Sequence, residues 1–165
     1  MKSSILDGKK ILAVDDEPDV LNVLEEEIMG ACRDCKIEKA TSYEAAVKKL
    51  EGQSYDVVVL DIMGVRGFDL LDLAVKRQMK VAMLTSHALN PEALKRSFEM
   101  KARAYLPKDK LGEIVPFLED VLTYEFMPGW KVLFKKLGGL FETWKEKSGY
   151  NYFQEVKKKI DMSDD

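Results

Sequence analysis

From Lys9 to about Tyr124 the chain alternates short apolar runs with amphipathic stretches of about a dozen residues, and few architectures tolerate that rhythm. The apolar runs over 10–14, 36–40, 56–60, 80–84 and 102–106 are nearly continuous Val, Ile, Leu and Ala. Strands of that kind are buried on both faces, as in a parallel sheet covered by helices. The intervening stretches read as those helices. The first begins at Glu17 and Pro18, where proline's missing N–H costs nothing, and ends near Gly30. Thr41 and Glu44 read as a capping box for the second, which ends near Gly52. The third spans 68–77, the fourth opens at Asn90 and Pro91, and the fifth spans 111–124, with the Pro128-Gly129 pair as its break.

Length limits what else the chain can hold. Its 165 residues, 46% hydrophobic and 33% charged, make one core with a small appendage and exclude a large multidomain enzyme. A formal net charge of -3 suits neither a nucleic-acid-coating protein nor an acidic disordered chain. Apolar runs such as 57–60 fall far short of the ~20 residues of a membrane helix. The first ten residues lack a signal-like apolar stretch, so a cytoplasmic location is expected. Cys32 and Cys35 have a spacing used in thiol exchange and in half zinc sites, but no further Cys pair or nearby histidine completes either. Two unpaired thiols in a reducing compartment are expected.

The segment 125–165 differs from the body 1–124, and the two are read as separate units. Residues 124–165 carry nine of the 15 aromatic residues, too many for a solvated tail. Trp130, Phe134, Leu137, Phe141 and Trp144 recur at helical spacing despite Gly138 and Gly139. A second short helix is predicted over 150–160. Lys131 to Lys159 includes eight Lys against three Glu, so this extension is basic and the body acidic. Its aromatic face is expected to pack on the body; reversible docking and contact with an anionic membrane surface are the alternatives. The extension is too short for a DNA-binding output module.

In a doubly wound sheet, ligands bind outside the carboxyl ends of the strands. Asp15 and Asp16 follow the first strand, Asp61 the third, Thr85 and Ser86 the fourth, and Lys108 the fifth. Crowded carboxylates need a cation, and an all-oxygen donor set favours Mg2+. A carboxylate so placed can attack a phosphoryl donor while metal and Lys108 offset the developing charge, which makes Asp61 the expected nucleophile.

The segments ILAVDDEP (11–18), DVVVLDIM (56–63), VAMLTSHA (81–88) and AYLPKD (104–109) resemble the receiver domain of two-component response regulators. That resemblance covers about residues 8–124. It implies a flavodoxin-like, five-stranded parallel sheet in the order 2-1-3-4-5 with helices on both faces, to which the helical extension is added. It also implies Asp61 as phosphoacceptor, Asp16 as a direct Mg2+ ligand, Asp15 as a water-mediated one and the Met63 carbonyl as a further ligand. Thr85 and Lys108 would hold the phosphoryl group, and Tyr105 would be the aromatic switch. Met63 and His87 would flank the path of hydrolytic water; Met63 cannot orient a water, so slow self-hydrolysis is expected. The implied partners are a sensor histidine kinase or phosphotransfer protein and a downstream protein, with a homodimer through the fourth-helix, fifth-strand, fifth-helix face as one mode.

Two departures stand out. The stretch DIMGVRGFDLL (61–71) is two residues shorter than many receivers and lacks their proline. The family's Lys-Pro pair is Lys108-Asp109 here, and a cis bond without proline costs about 2.5–4 kcal/mol, so this bond is predicted to be trans. The chain is therefore read as a phosphorylation-controlled switch that catalyses only its own phosphorylation and dephosphorylation. The rival readings are a receiver-shaped interaction module that is never phosphorylated, and a phosphatase or phosphotransferase with an aspartyl-phosphate intermediate. That enzyme would need a general acid or base where Met63 stands.

Overall fold

The computed structural model describes residues 3–85, 91–148 and 152–162, and for 138–148 and 152–155 the backbone alone. Strands β1 (Lys10–Val14), β2 (Lys36–Ala40), β3 (Val57–Asp61), β4 (Lys80–Thr85) and β5 (Ala104–Pro107) form one parallel sheet in the order β2-β1-β3-β4-β5. The helices are α1 (Pro18–Met29), α2 (Tyr43–Gly52), α3 (Gly67–Lys76), α4 (Pro91–Glu99), α5 (Ile114–Thr123), α6 (Phe126–Ser148) and α7 (Tyr152–Asp161). Within the sheet β3 is buried along its whole length, as its unbroken Val and Leu content requires. The helices pack as α1 with α5 and α2 with α3.

Several boundaries move, and each shift has a local cause. Thr41 does not cap α2; Ser42 does, its Oγ accepting from the Ala45 amide at 3.2 Å. β5 starts at Ala104 because the Ala102 amide is still bonded to the Ser97 carbonyl, and Lys101 turns the chain at φ 74°. The fifth helix is preceded by a 3-10 turn, Lys108–Glu113, and ends at Thr123, where Tyr124 is extended. The Pro128-Gly129 pair therefore breaks nothing. It lies in the first turn of α6, where a helix has no partner for proline's absent N–H to lose.

Cys32 and Cys35 form a disulfide with Cα atoms 6.0 Å apart, which corrects the expectation of unpaired thiols. Asp34, at φ 55°, turns the chain back between them and brings the two sulfurs together. The Lys108-Asp109 bond is trans, as predicted, and no cis bond occurs among the described residues.

The extension shares the core of the body. Trp130, Leu133, Phe134, Leu137, Val156 and Ile160 are all buried and belong to the same hydrophobic cluster as the sheet. α6 lies against α5 and β5, and α7 against α4 and α6. Phe141 and Trp144 lie in the backbone of α6, with side chains outside the described set; Tyr150 is also outside it. Among the described residues, no helix is long and apolar enough to cross a membrane.

Candidate functional site

Four strand ends deliver the expected carboxylates, hydroxyl and amine to one edge of the sheet. Asp15 directly follows β1, Asp61 is the last residue of β3, Thr85 the last of β4, and Lys108 directly follows β5. Register explains the convergence, since Asp61 pairs with Leu84 and Thr85 with Pro107. Oxygens of Asp15, Asp16 and Asp61 lie within 4.8 Å of one another. Asp15 and Asp61 are buried, whereas Asp16 is exposed.

Lys108 is the cation that holds this group together. Its Nζ lies 2.8 Å from Asp15 Oδ2, 3.3 Å from Asp61 Oδ1 and 3.1 Å from Glu17 Oε1. Burial alone would lower its pKa, but hydrogen bonds to Asp15 and Glu17 and the charge of Asp61 hold it above the ordinary lysine value. Asp15 is pushed the other way. Burial raises its pKa, against the lowering effects of Lys108 and the Glu17 amide, which donates to Oδ1 at 2.9 Å. Among the described residues Oδ2 accepts no well-directed hydrogen bond, and Lys108 meets it as an ion pair.

The shortened loop after β3 is closed by glycines. The Gly64 amide donates to Asp61 Oδ2 at 3.1 Å, and a Cβ at Gly64 would lie 2.3 Å from an Asp16 carboxylate oxygen. At Gly67 a Cβ would meet the Asp61 carbonyl at 2.2 Å, so α3 can start this close to the site only with glycine there. Between them Arg66 turns in the left-handed region, its guanidinium 4.0 Å from the Tyr43 ring and bonded to Asp69. Met63 points out to solvent, 75% exposed, and its carbonyl accepts from the Arg66 amide at 3.2 Å. One lone pair of that oxygen remains for another partner.

Tyr105 is fully buried in β5, opposite Met83. His87 and Ser86 lie outside the described residues. Glu17 and Gly64 are the site residues that the sequence reading missed. Glu17 was visible only as a helix start, and Gly64 only as an oddity of the short loop.

The family model for the response regulator receiver domain matches residues 11–118. The chain belongs to this family. A CheY-like receiver domain protein from Methanospirillum hungatei is 25% identical with a TM-score of 0.56, covering 70% of this chain and 96% of that one. A response regulator from Chloroflexus aurantiacus is also 25% identical, with a TM-score of 0.61 over 70% of this chain and 98% of the other. The phosphorylated cyanobacterial phytochrome response regulator RcpA shares the fold at 17% identity, with a TM-score of 0.60 over 70% of this chain and 94% of that one. No curated protein matches the chain. As a receiver domain, the chain carries an acidic pocket of Asp15, Asp16 and Asp61 with the donor chemistry of a metal site.

Proposed function

We propose that this receiver is a phosphorylation-controlled switch in a phosphorelay, with Asp61 as the phosphoacceptor. The observation that carries this reading is Lys108 bridging Asp15 and Asp61 beside a third carboxylate. An Asp61 carboxylate oxygen attacks phosphorus; the bond from phosphorus to the donor atom breaks, and the leaving group keeps the electron pair and gains a proton. Lys108 and the Thr85 hydroxyl then face the new phosphoryl oxygens, while the Gly64 amide holds Asp61 in position. Tyr105 acts as the aromatic switch, and slow self-hydrolysis follows from Met63, which offers water nothing to bond.

Mg2+ fits the pocket. The donors are all oxygens, and Asp15 Oδ2 is buried without a well-directed hydrogen bond. Asp15, Asp16 and Asp61 would hold the ion, and the Met63 carbonyl would be the further ligand that the receiver resemblance implies. Bound there, it supplies positive charge against the negative charge that accumulates during transfer. The donor is a sensor histidine kinase or phosphotransfer protein, and the site of action is the cytoplasm.

The test is intact mass after incubation with acetyl phosphate and Mg2+, compared with a metal-free sample and Asp61→Asn. A single phosphoryl adduct that needs both Mg2+ and Asp61 is the expected result. The second reading, a module that is never phosphorylated, draws on the Met63 carbonyl, already engaged by Arg66. A folded protein that forms no adduct would establish it over the first.

A further inference from the structure

The surface made by α4, β5 and α5 is occupied by a segment of the same chain. Trp130 of α6 is fully buried there, and its indole N–H donates to the Ala102 carbonyl at 2.9 Å. Phe98 of α4 meets the Trp130 ring edge-on at 5.3 Å, and Phe126 and Phe134 complete the aromatic cluster. Charged contacts fasten the periphery: Lys136 of α6 to Asp120 of α5, and Lys159 of α7 to Glu99 of α4 at 3.5 Å. Val156 and Ile160 of α7 are buried as well.

One strand of this seat, β5, leads directly to the acidic pocket. β5 runs from Ala104, two residues past the carbonyl that anchors Trp130, to Pro107, and Lys108 follows. β4 ends at Thr85, and α4, which carries Phe98, is the next helix. Lys108 thus stands at one end of the strand whose other end adjoins the Trp130 anchor.

We propose that α6 and α7 are a displaceable intramolecular cover of the α4–β5–α5 surface, and that phosphorylation of Asp61 loosens it. The inference rests on Asp61 being the phosphoacceptor. A phosphoryl group brings roughly -1.5 to -2 charges to a site where Lys108 is shared among Asp15, Glu17 and Asp61. Lys108 is drawn towards the new charge and Thr85 towards its oxygens. The seat of Trp130 fits the arrangement in which the indole is fully buried and hydrogen-bonded. Packed interfaces of this kind switch between arrangements and do not deform smoothly. Moving β5 and α4 thus weakens the grip on α6, and a loosened cover makes phosphorylation easier in return.

Hydrogen exchange of the full chain, read over residues 126–137 by mass spectrometry, tests this. Samples with and without acetyl phosphate and Mg2+ are compared, with intact mass recorded in parallel and Asp61→Asn as control. Stoichiometric adduct with about tenfold faster exchange, absent in Asp61→Asn, is the expected result. Lys136→Glu should speed exchange without any phosphodonor and raise the rate of adduct formation several-fold, and adding Asp120→Lys should restore both. Adduct with unchanged or slower exchange overturns the cover and leaves the phosphoacceptor reading standing. A folded chain that forms no adduct overturns both.

Discussion

Lys108 has two roles that a single substitution can separate. It neutralises Asp15 and Asp61 in the metal-free protein, and it would face the phosphoryl group in the charged one. Lys108→Met leaves two buried carboxylates without their cation, so the metal-free protein should lose about 1–3 kcal/mol of stability. Mg2+ no longer competes with an ammonium for Asp15, so it should raise the melting temperature more in the variant than in the wild type. Phosphoryl transfer should nevertheless slow by about 10²–10³-fold; calorimetry with a Mg2+ titration and adduct kinetics check the three effects. Gly64→Ala probes the other side of the pocket. Its Cβ would displace the Asp16 carboxylate, an exposed side chain that can swing away, so stability should change by less than about 1 kcal/mol. Mg2+ affinity, measured by titration, should fall by about tenfold or more. The carboxylates, Thr85 and Lys108 were legible in the sequence because each ends or follows a strand of unmistakable composition. Gly64 and Glu17 were not, because their roles depend on which side chain the folded loop brings beside them.

At the scale of elements, the first four strands were legible to within a residue, since a run such as Val57 to Leu60 has no stable place outside a covered sheet. Helix boundaries were less so. Thr41 and Ser42 are adjacent capping residues, and only the extended backbone of Ser42 with its bond to Ala45 distinguishes them. Ser42→Ala should therefore cost about 1 kcal/mol, and Thr41→Ala should cost a few tenths at most, as read from denaturant melts. The Pro128-Gly129 pair looked like a break because proline ends a helix interior, yet the same residue suits a first turn. Local sequence states the punctuation and leaves its direction open. The Cys32–Cys35 pair is a similar case, since the spacing was plain and the turn at Asp34 that joins the sulfurs was not.

For the whole molecule, the central fact is that the extension completes the core of the receiver body. The family model ends at residue 118, before α6 and α7, and solved relatives are covered over 96% and 98% of their length by 70% of this chain. Ending this chain at Thr123 removes Trp130, Leu133, Phe134 and Leu137 from the surface they cover. The shortened chain should remain folded by circular dichroism and associate with itself through the uncovered apolar face. Sedimentation over a concentration series should show dimers for the short chain and little association for the full one. A homodimer through α4, β5 and α5 in the full chain requires the cover to leave first. The sequence by itself determined the parallel α/β sheet, the family and the residues at the strand ends, because burial and strand-end chemistry leave a local signature in residue order. Only the tertiary structure decided where the aromatic face of the extension goes and what Lys108 holds. Both are contacts between segments far apart in the chain, and no periodicity within either segment encodes its partner.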